Sequence, residues 1–329
     1  MPLTDNKLHY PIRVILTKII YSCNLIFVVF ILFFPREVLS AARDGLILWF
    51  NNVLPALLPF IVAVNILVSL GFVRLVGIWA QPVMKVVFGL PGAGGFALIA
   101  GLLSGYPMGA KTVADLWHRR EITTIQAQRL LAFCNNAGPL FIVGVVGVGL
   151  LDSSLAGYVL WAGHVAAALI IGVLTRRWGA DNGNAMLDYQ PRPIQETYNI
   201  SRALGEAVKN AMEALLVVGG LIIYFSVVVR IITIMTGDIH FMTEGILAGI
   251  MEITGGVKIL SDATYGVISP LRIGVIGGII AFGGFSVHAQ ALHFTSDTGI
   301  KAGRYILFKA LGGIAAAGIT WAIWVLLHM

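Results

Sequence analysis

The sequence predicts an all-α polytopic membrane protein of about eight transmembrane helices, with broken or re-entrant segments arranged in two internal repeats. Three observations carry this. Only 12% of the 329 residues are charged, while 58% are hydrophobic and the mean hydropathy is +0.88. A soluble domain carries about 25% charged residues, so much of this surface must face lipid. Apolar runs recur along the chain, several of them reaching the roughly 20 residues that cross a bilayer. Glycines and prolines interrupt those runs at two places that resemble each other.

The first run, Val14 to Phe34, follows Lys7 and Arg13 and has Lys18 near its start. No small-x-small cleavage site follows it, so a retained helix with its basic end in the cytoplasm is expected. Further runs fall near 46–72, 75–90, 91–117, 129–150, 155–174, 211–235, 244–260, 271–296 and 304–327. Those at 75–90 and 244–260 are short and contain Gln81, Pro82 and Lys85, or Glu252 and Lys258. Such segments suit re-entrant or interfacial pieces. The polar stretch 175–210, basic through Arg176, Arg177, Arg192, Arg202 and Lys209, reads as a cytoplasmic loop between two halves. HRREITTIQAQR at 118–129, with Ile122, Ile125, Leu130 and Leu131 at helical spacing, predicts an amphipathic interfacial helix.

LSGYPMGAK (103–111) lies over FGGFSVHAQ (282–290) at an offset of 179, matching Gly105 with Gly284 and Tyr106 with Phe285. NVLPALLPF (52–60) likewise resembles NAMEALLVV (210–218). The expected organisation is an N-terminal helix and linker at 1–44, a first repeat at 45–175, a polar loop at 176–204 and a second repeat at 205–329.

The net charge of +6 is placed beside apolar runs, which marks loop charge and excludes a nucleic-acid partner. Cys23 and Cys134 each lie within an apolar run and form no CxxC pattern. GLPGAGG at 89–95 lacks the GK[ST] of a phosphate loop, and there is no HExxH, GxSxG or paired-carboxylate cluster. No enzyme activity, metal or cofactor is therefore expected. Transport without an ATPase draws on an ion gradient, a substrate gradient or a partner.

A broken helix in hydrocarbon is tolerated where protein or a water-filled cavity surrounds its freed backbone groups. Repeat-built transporters bind substrate at paired breaks, where half-helix N-termini favour anions. Gly105, Pro107, Gly109, Gly283 and Gly284 are the candidate backbone breaks, and Ser104, Tyr106, Lys111, Phe285, Ser286, His288 and Gln290 the side chains beside them. A third interruption, FCNNAGPLF at 133–141, adds Asn135 and Asn136 and equally suits a span boundary. Isolated glycines such as Gly144, Gly147 and Gly149 suit close helix packing. Ionisable residues in apolar runs are functional candidates because burying them is costly. Glu252, Glu213 and Asp115 are coupling or proton candidates, with a packed, hydrogen-bonded carboxylate the rival for Glu252. Lys111 is either an anion contact or the partner of Asp115 four residues on. His288 is either proton-sensitive or a satisfied neutral histidine, and His164 suits helix packing.

PREVLSAARDGLILWFNNVLPALLPF (35–60), GLPGAGGFALIAGLLSGYPMGAK (89–111), RLLAFCNNAGPLFIVGVVGVG (129–149) and EITGG (252–256) resemble the YlbJ-type sporulation integral membrane proteins of the nucleoside-recognition, or Gate, domain family. Asn136 and Ala137 stand where the family pattern has Thr and Ser. The resemblance implies a role in endospore maturation: moving dipicolinate, a small aromatic dianion, across the outer forespore membrane, with other spore membrane proteins or a second copy of the chain as partners. Lys111 and the half-helix N-termini would then meet the carboxylates, and Tyr106 and Phe285 the ring. GGFSVHAQ and the last helix are more distantly similar to concentrative nucleoside transporters, with Glu252 near the position of a functional glutamate. Their asparagine is missing from Gly284-Phe285-Ser286. The alternatives are a nucleoside or nucleobase transporter, or a structural or gating subunit that moves nothing alone.

Overall fold

The computed structural model of the chain describes residues 21–22, 24–70, 72–178, 200–237 and 239–329. The basic N-terminal residues, Cys23 and most of the polar loop with Arg192 lie outside the described residues. Every described regular element is a helix, and the chain is an all-α polytopic membrane protein. Large side chains line its outside, with Leu32 at 71%, Trp79 at 78%, Ile314 at 71% and Leu326 at 73% exposure. In water such a surface would be an aggregation liability, whereas in lipid it needs no cover.

Among the described residues four helices are long and apolar enough to cross a membrane: Ser154–Arg177, Ala203–Thr236, Pro270–Phe294 and Ala302–Leu327. There are up to six spans if each of two bent pairs is one, Asn24–Phe33 with Pro35–Asn51 (108°) and Leu75–Phe88 with Ala93–Ser104 (90°). Several other apolar runs are cut into helices of 9–12 residues, the broken or re-entrant pieces that the sequence predicts. At 1.5 Å per residue each is about 14–18 Å long, half of a hydrocarbon core about 30 Å thick.

The N-terminal elements are α1 (Asn24–Phe33), α2 (Pro35–Leu48), a π-helical turn Trp49–Val53 and α3 (Leu54–Ser69). They lean on α9 (Ile200–Thr236), the longest helix at 37 residues. Trp49 Nε1 donates to the Leu215 carbonyl (3.0 Å) and Asn65 Nδ2 to that of Ala207 (3.1 Å). Next, α4 (Phe72–Val83) and its π-helical extension Met84–Phe88 end at Gly89, whose φ of +60° suits glycine.

Two hairpins follow different local logic to the same shape. In the first, α5 (Ala93–Ser104) and α6 (Met108–His118) fold back on each other at Gly105, where φ is +84°. A Cβ on Gly101 or Gly109 would run into the Cys134 carbonyl, so these glycines let the hairpin close over the end of α7. In the second, α10 (Phe241–Met251) and α11 (Ile253–Ser261) meet at Glu252, which is extended at φ −144°, ψ 121°. Gly256 lies on Gly249, with no side chain between the arms.

Each hairpin is followed by an interrupted helix. Thr123 and Gln126 form a capping box that starts α7 (Thr124–Cys134). The chain is extended at Asn135 (φ −88°, ψ 93°) and resumes after Pro139 as a π-helix, Leu140–Leu150. The second interrupted helix is α12 (Pro270–Phe282), which breaks at Gly283 and Gly284 (φ +92° and +71°) and continues as α13 (Gly284–Phe294). A long helix closes each series, α8 (Ser154–Leu174) and α14 (Ala302–Leu327). They pack through small residues: Gly163 of α8 and Gly277 of α12 both abut Thr320 of α14. Gly147 packs on Gly157, the close contact its sequence setting suggests.

Two sequence expectations change here. The stretch 118–129 is not an interfacial helix: Ile122, Leu130 and Leu131 are buried, and α7 is half of an interrupted core helix with only Ile125 of that set exposed. Arg129 is buried and donates to the carbonyls of Phe88 and Gly89, closing the end of another helix. The overlay of 103–111 on 282–290 also pairs unlike elements, a hairpin tip with a break in a continuing helix. By element order the counterpart of the Gly105 tip is Glu252, and that of Gly283–Gly284 is 135–138.

Candidate substrate cavity

Both hairpin tips and both interruptions converge on one cavity of about 550 Å³. Leu103 to Tyr106 enter from the first hairpin, Glu252 to Thr254 from the second, Ala137 and Gly138 from the first interruption, and Ser286 and Gln290 from the second. The far wall is α9, through Val218 and Ile222, and the π-helical turn after α2 with α3, through Asn51 and Phe60. The volume falls within the roughly 300–1,000 Å³ of small-molecule sites.

The parts hold one another. Gly105 lies against Gly138, where a Cβ would come within 2.7 Å of the Gly138 nitrogen. Tyr106 Oη donates to the Ile280 carbonyl (2.9 Å), which the break at Gly283 leaves outside the helical ladder. Gly284 sits against the Gly249 carbonyl of the second hairpin. Glu252 is buried and caps α11, accepting from Thr254 N (3.0 Å) and Gly255 N (2.7 Å). Its charge is thus offset by the positive end of a helix rather than by a cation.

Ser104, Gly105, Tyr106, Glu252, Ser286 and Gln290, all singled out in the sequence, line the cavity. Ser104 Oγ is buried without a partner, and Gln290 Nε2 reaches Ser286 Oγ at 3.5 Å. No basic side chain is among the described lining residues. Lys111 lies outside the lining and donates to Asn65 Oδ1 (3.0 Å), which ties α6 to α3 and, through Asn65, to α9. Asp115 is half-buried one turn along α6, also away from the cavity. Glu213 is exposed and pairs with Lys209 at 3.8 Å on the surface of α9. Phe285 is 37% exposed on the outer side of the break, its ring edge-on to Phe282 and His288.

Asn135, Asn136 and His288 form a second buried layer behind Tyr106. Asn135 Nδ2 donates to Tyr305 Oη (2.8 Å), His288 Nδ1 lies 3.3 Å from the same hydroxyl, and Asn136 Nδ2 donates to the Phe133 carbonyl (2.7 Å). His164 Nε2 accepts from Ala137 N (3.2 Å), fixing α8 to the interruption. At the centre is a residue the sequence reading missed, Lys309 of α14, whose Nζ donates to the Asn135 carbonyl (2.8 Å). Its signal was a lone lysine in the apolar run 304–327. No group of three or more His, Cys, Asp or Glu side chains able to hold a metal exists among the described residues.

Interrupted backbone thus surrounds a mixed polar and apolar cavity, between elements that touch through glycines. Among curated proteins, the sporulation integral membrane protein YlbJ of Bacillus subtilis is similar to this chain. The two are 31% identical over 339 aligned positions, covering 94% of this chain and 83% of that protein. No family model and no solved structure matches the chain.

Proposed function

The chain belongs to the YlbJ-type sporulation integral membrane proteins, and from that premise we propose that it is a secondary transporter for a small organic anion, dipicolinate, across the outer forespore membrane. The observation that carries this reading is the convergence of two hairpin tips and two interrupted helices on a single cavity. Carriers built from repeats place their substrate at such a meeting point. On this reading 45–175 and 205–329 are two copies of one unit, each a hairpin, an interrupted helix and a long helix.

The charge of the cargo is met without Lys111. The helix resuming at Leu140 and the first turn of α13 at Ser286 border the cavity with their N-terminal ends, where unpaired N–H groups favour carboxylates. Tyr106 and Phe141 offer ring faces to a pyridine. Lys309 lies 5.5 Å from the Tyr106 ring centroid on the side away from the lining, adding a positive field without contact.

The test is uptake of radiolabelled pyridine-2,6-dicarboxylate and of uridine by liposomes holding the purified protein. Saturable dicarboxylate uptake without uridine uptake is expected. Uridine uptake alone would move the protein to the nucleoside carriers, and uptake of neither would leave a structural or gating subunit.

A further inference from the structure

Lys309 is 4% exposed and sits within a helix long and apolar enough to cross the membrane. Its ammonium does two things at once. It donates to the carbonyl of Asn135, where α7 stops and the backbone has left helical geometry. It also faces the ring of Tyr106 at the tip of the first hairpin, 5.5 Å from the centroid. One charged atom therefore joins an interruption to a hairpin.

The titratable groups around it are Cys134 at the end of α7, Tyr106 of the hairpin, His164 of α8, His288 of α13 and Tyr305 one turn back on α14. None is a carboxylate. Helix α12, which also packs along α14, offers Ala281 at this level, and its one titratable residue, Arg272, lies near its start, bonded to the carbonyls of Asp262 and Gly266. A small void with room for about one water lies between Lys309, His164 and Asn136. His164 Nε2 is an acceptor, so its proton sits on Nδ1, which is buried and unpartnered. A buried ammonium with no counter-charge is expensive. What it gains here is one carbonyl, one ring face and the void.

Freed carbonyls at interrupted helices are where carriers bind their driving cation. Here that carbonyl is occupied by a side chain of the chain itself. We propose that Lys309 carries the coupling proton: as an ammonium it grips the Asn135 carbonyl and closes the interruption, and as an amine, its proton given up to water, it lets the interruption open. The driving ion is then H⁺ and not Na⁺. This rests on the transport reading above.

Two measurements on the full chain keep the two ideas apart. In liposomes, an inward proton gradient is expected to speed dipicolinate uptake at least fivefold, with sodium without effect, and Lys309→Gln to abolish that acceleration. Uptake that follows sodium, or that keeps its proton dependence in Lys309→Gln, overturns the inference and leaves the transporter reading standing. Without cargo, hydrogen exchange of residues 133–141, corrected for its intrinsic pH dependence, is expected to rise about tenfold from pH 6 to pH 9 in the wild type. It is expected to be fast and flat in Lys309→Gln, and slow and flat in Lys309→Arg, whose charge is permanent. A flat wild-type profile overturns the proton latch whether or not any cargo moves.

Discussion

Glu252 shows how one side chain serves folding and site together. It starts α11 by binding two amide hydrogens and presents the same carboxylate to the cavity. Glu252→Ala is expected to cost about 1–2 kcal/mol, the usual loss for a helix cap, read as a lower melting temperature in detergent. Glu252→Gln keeps one of the two acceptor oxygens, since Thr254 N bonds Oε1 and Gly255 N bonds Oε2, and is expected to melt between Glu252→Ala and the wild type. A Gln variant that melts like the wild type would show that one acceptor is enough for the cap. At this scale, polar residues in apolar runs led to part of the lining: Ser104, Tyr106, Ser286 and Gln290 reach it, while Asn135, Asn136 and His288 lie in the layer behind. Lys111 does not reach it either: helical spacing named Asp115 as its neighbour, while its partner Asn65 lies 46 positions away. Lys309 left still less trace: its partner is a main-chain carbonyl, which no side chain announces.

Among elements, the first hairpin depends on contacts that glycine alone allows. Gly109→Val would drive a side chain into the Cys134 carbonyl and the Asn135 backbone. Overpacking costs about 1–3 kcal/mol where side chains can yield, and here the obstacle is backbone. Loss of monodisperse protein on size exclusion is expected, whereas Gly205→Val, at a site open on α9, is expected to behave as wild type. A surface tie between hairpin and interrupted helix is set by pH. His118, the last residue of α6, lies 2.7 Å from Asp297 in the turn after α13. That bond raises the imidazole above its ordinary 6.5 and lowers the carboxyl below its ordinary 3.8. The histidine's share of stability is complete below 6.5 and disappears as pH rises through its raised value. The aspartate's share is present above 3.8 and disappears as pH falls through its lowered one. Asp297→Asn is therefore expected to lower the melting temperature at pH 5.5 and to leave it unchanged at pH 9. The positions of the breaks were readable from Gly and Pro, but their shapes were not. A glycine with positive φ serves a hairpin tip and a helix break equally well, and what decides between them is the long-range fit of Gly101 and Gly109 over the end of α7.

For the whole molecule, the membrane class was readable from composition because the physics is collective: too few charges exist to wet the surface. Which runs cross unbroken was not, since hydropathy measures how apolar a run is and not whether it turns back. The length of α9 has a consequence for depth. Its 37 residues amount to about 55 Å at 1.5 Å per residue, well beyond a hydrocarbon core of about 30 Å. The excess lies at the N-terminal end, where Glu206, Lys209 and Glu213 are exposed to carry it through the headgroups. Val218 and Ile222, which wall the cavity, then lie only about 6–12 Å inside the hydrocarbon, counting from Ala214 at 1.5 Å per residue. If the chain is the carrier proposed above, its cargo has a short leg to the face bearing Glu206 and a long leg to the other. With lipids brominated at known depths, a tryptophan placed at Val218 is expected to be quenched more by shallow bromines than by central ones. The far leg, not the near one, is then where a bulky substitution should slow the passage most.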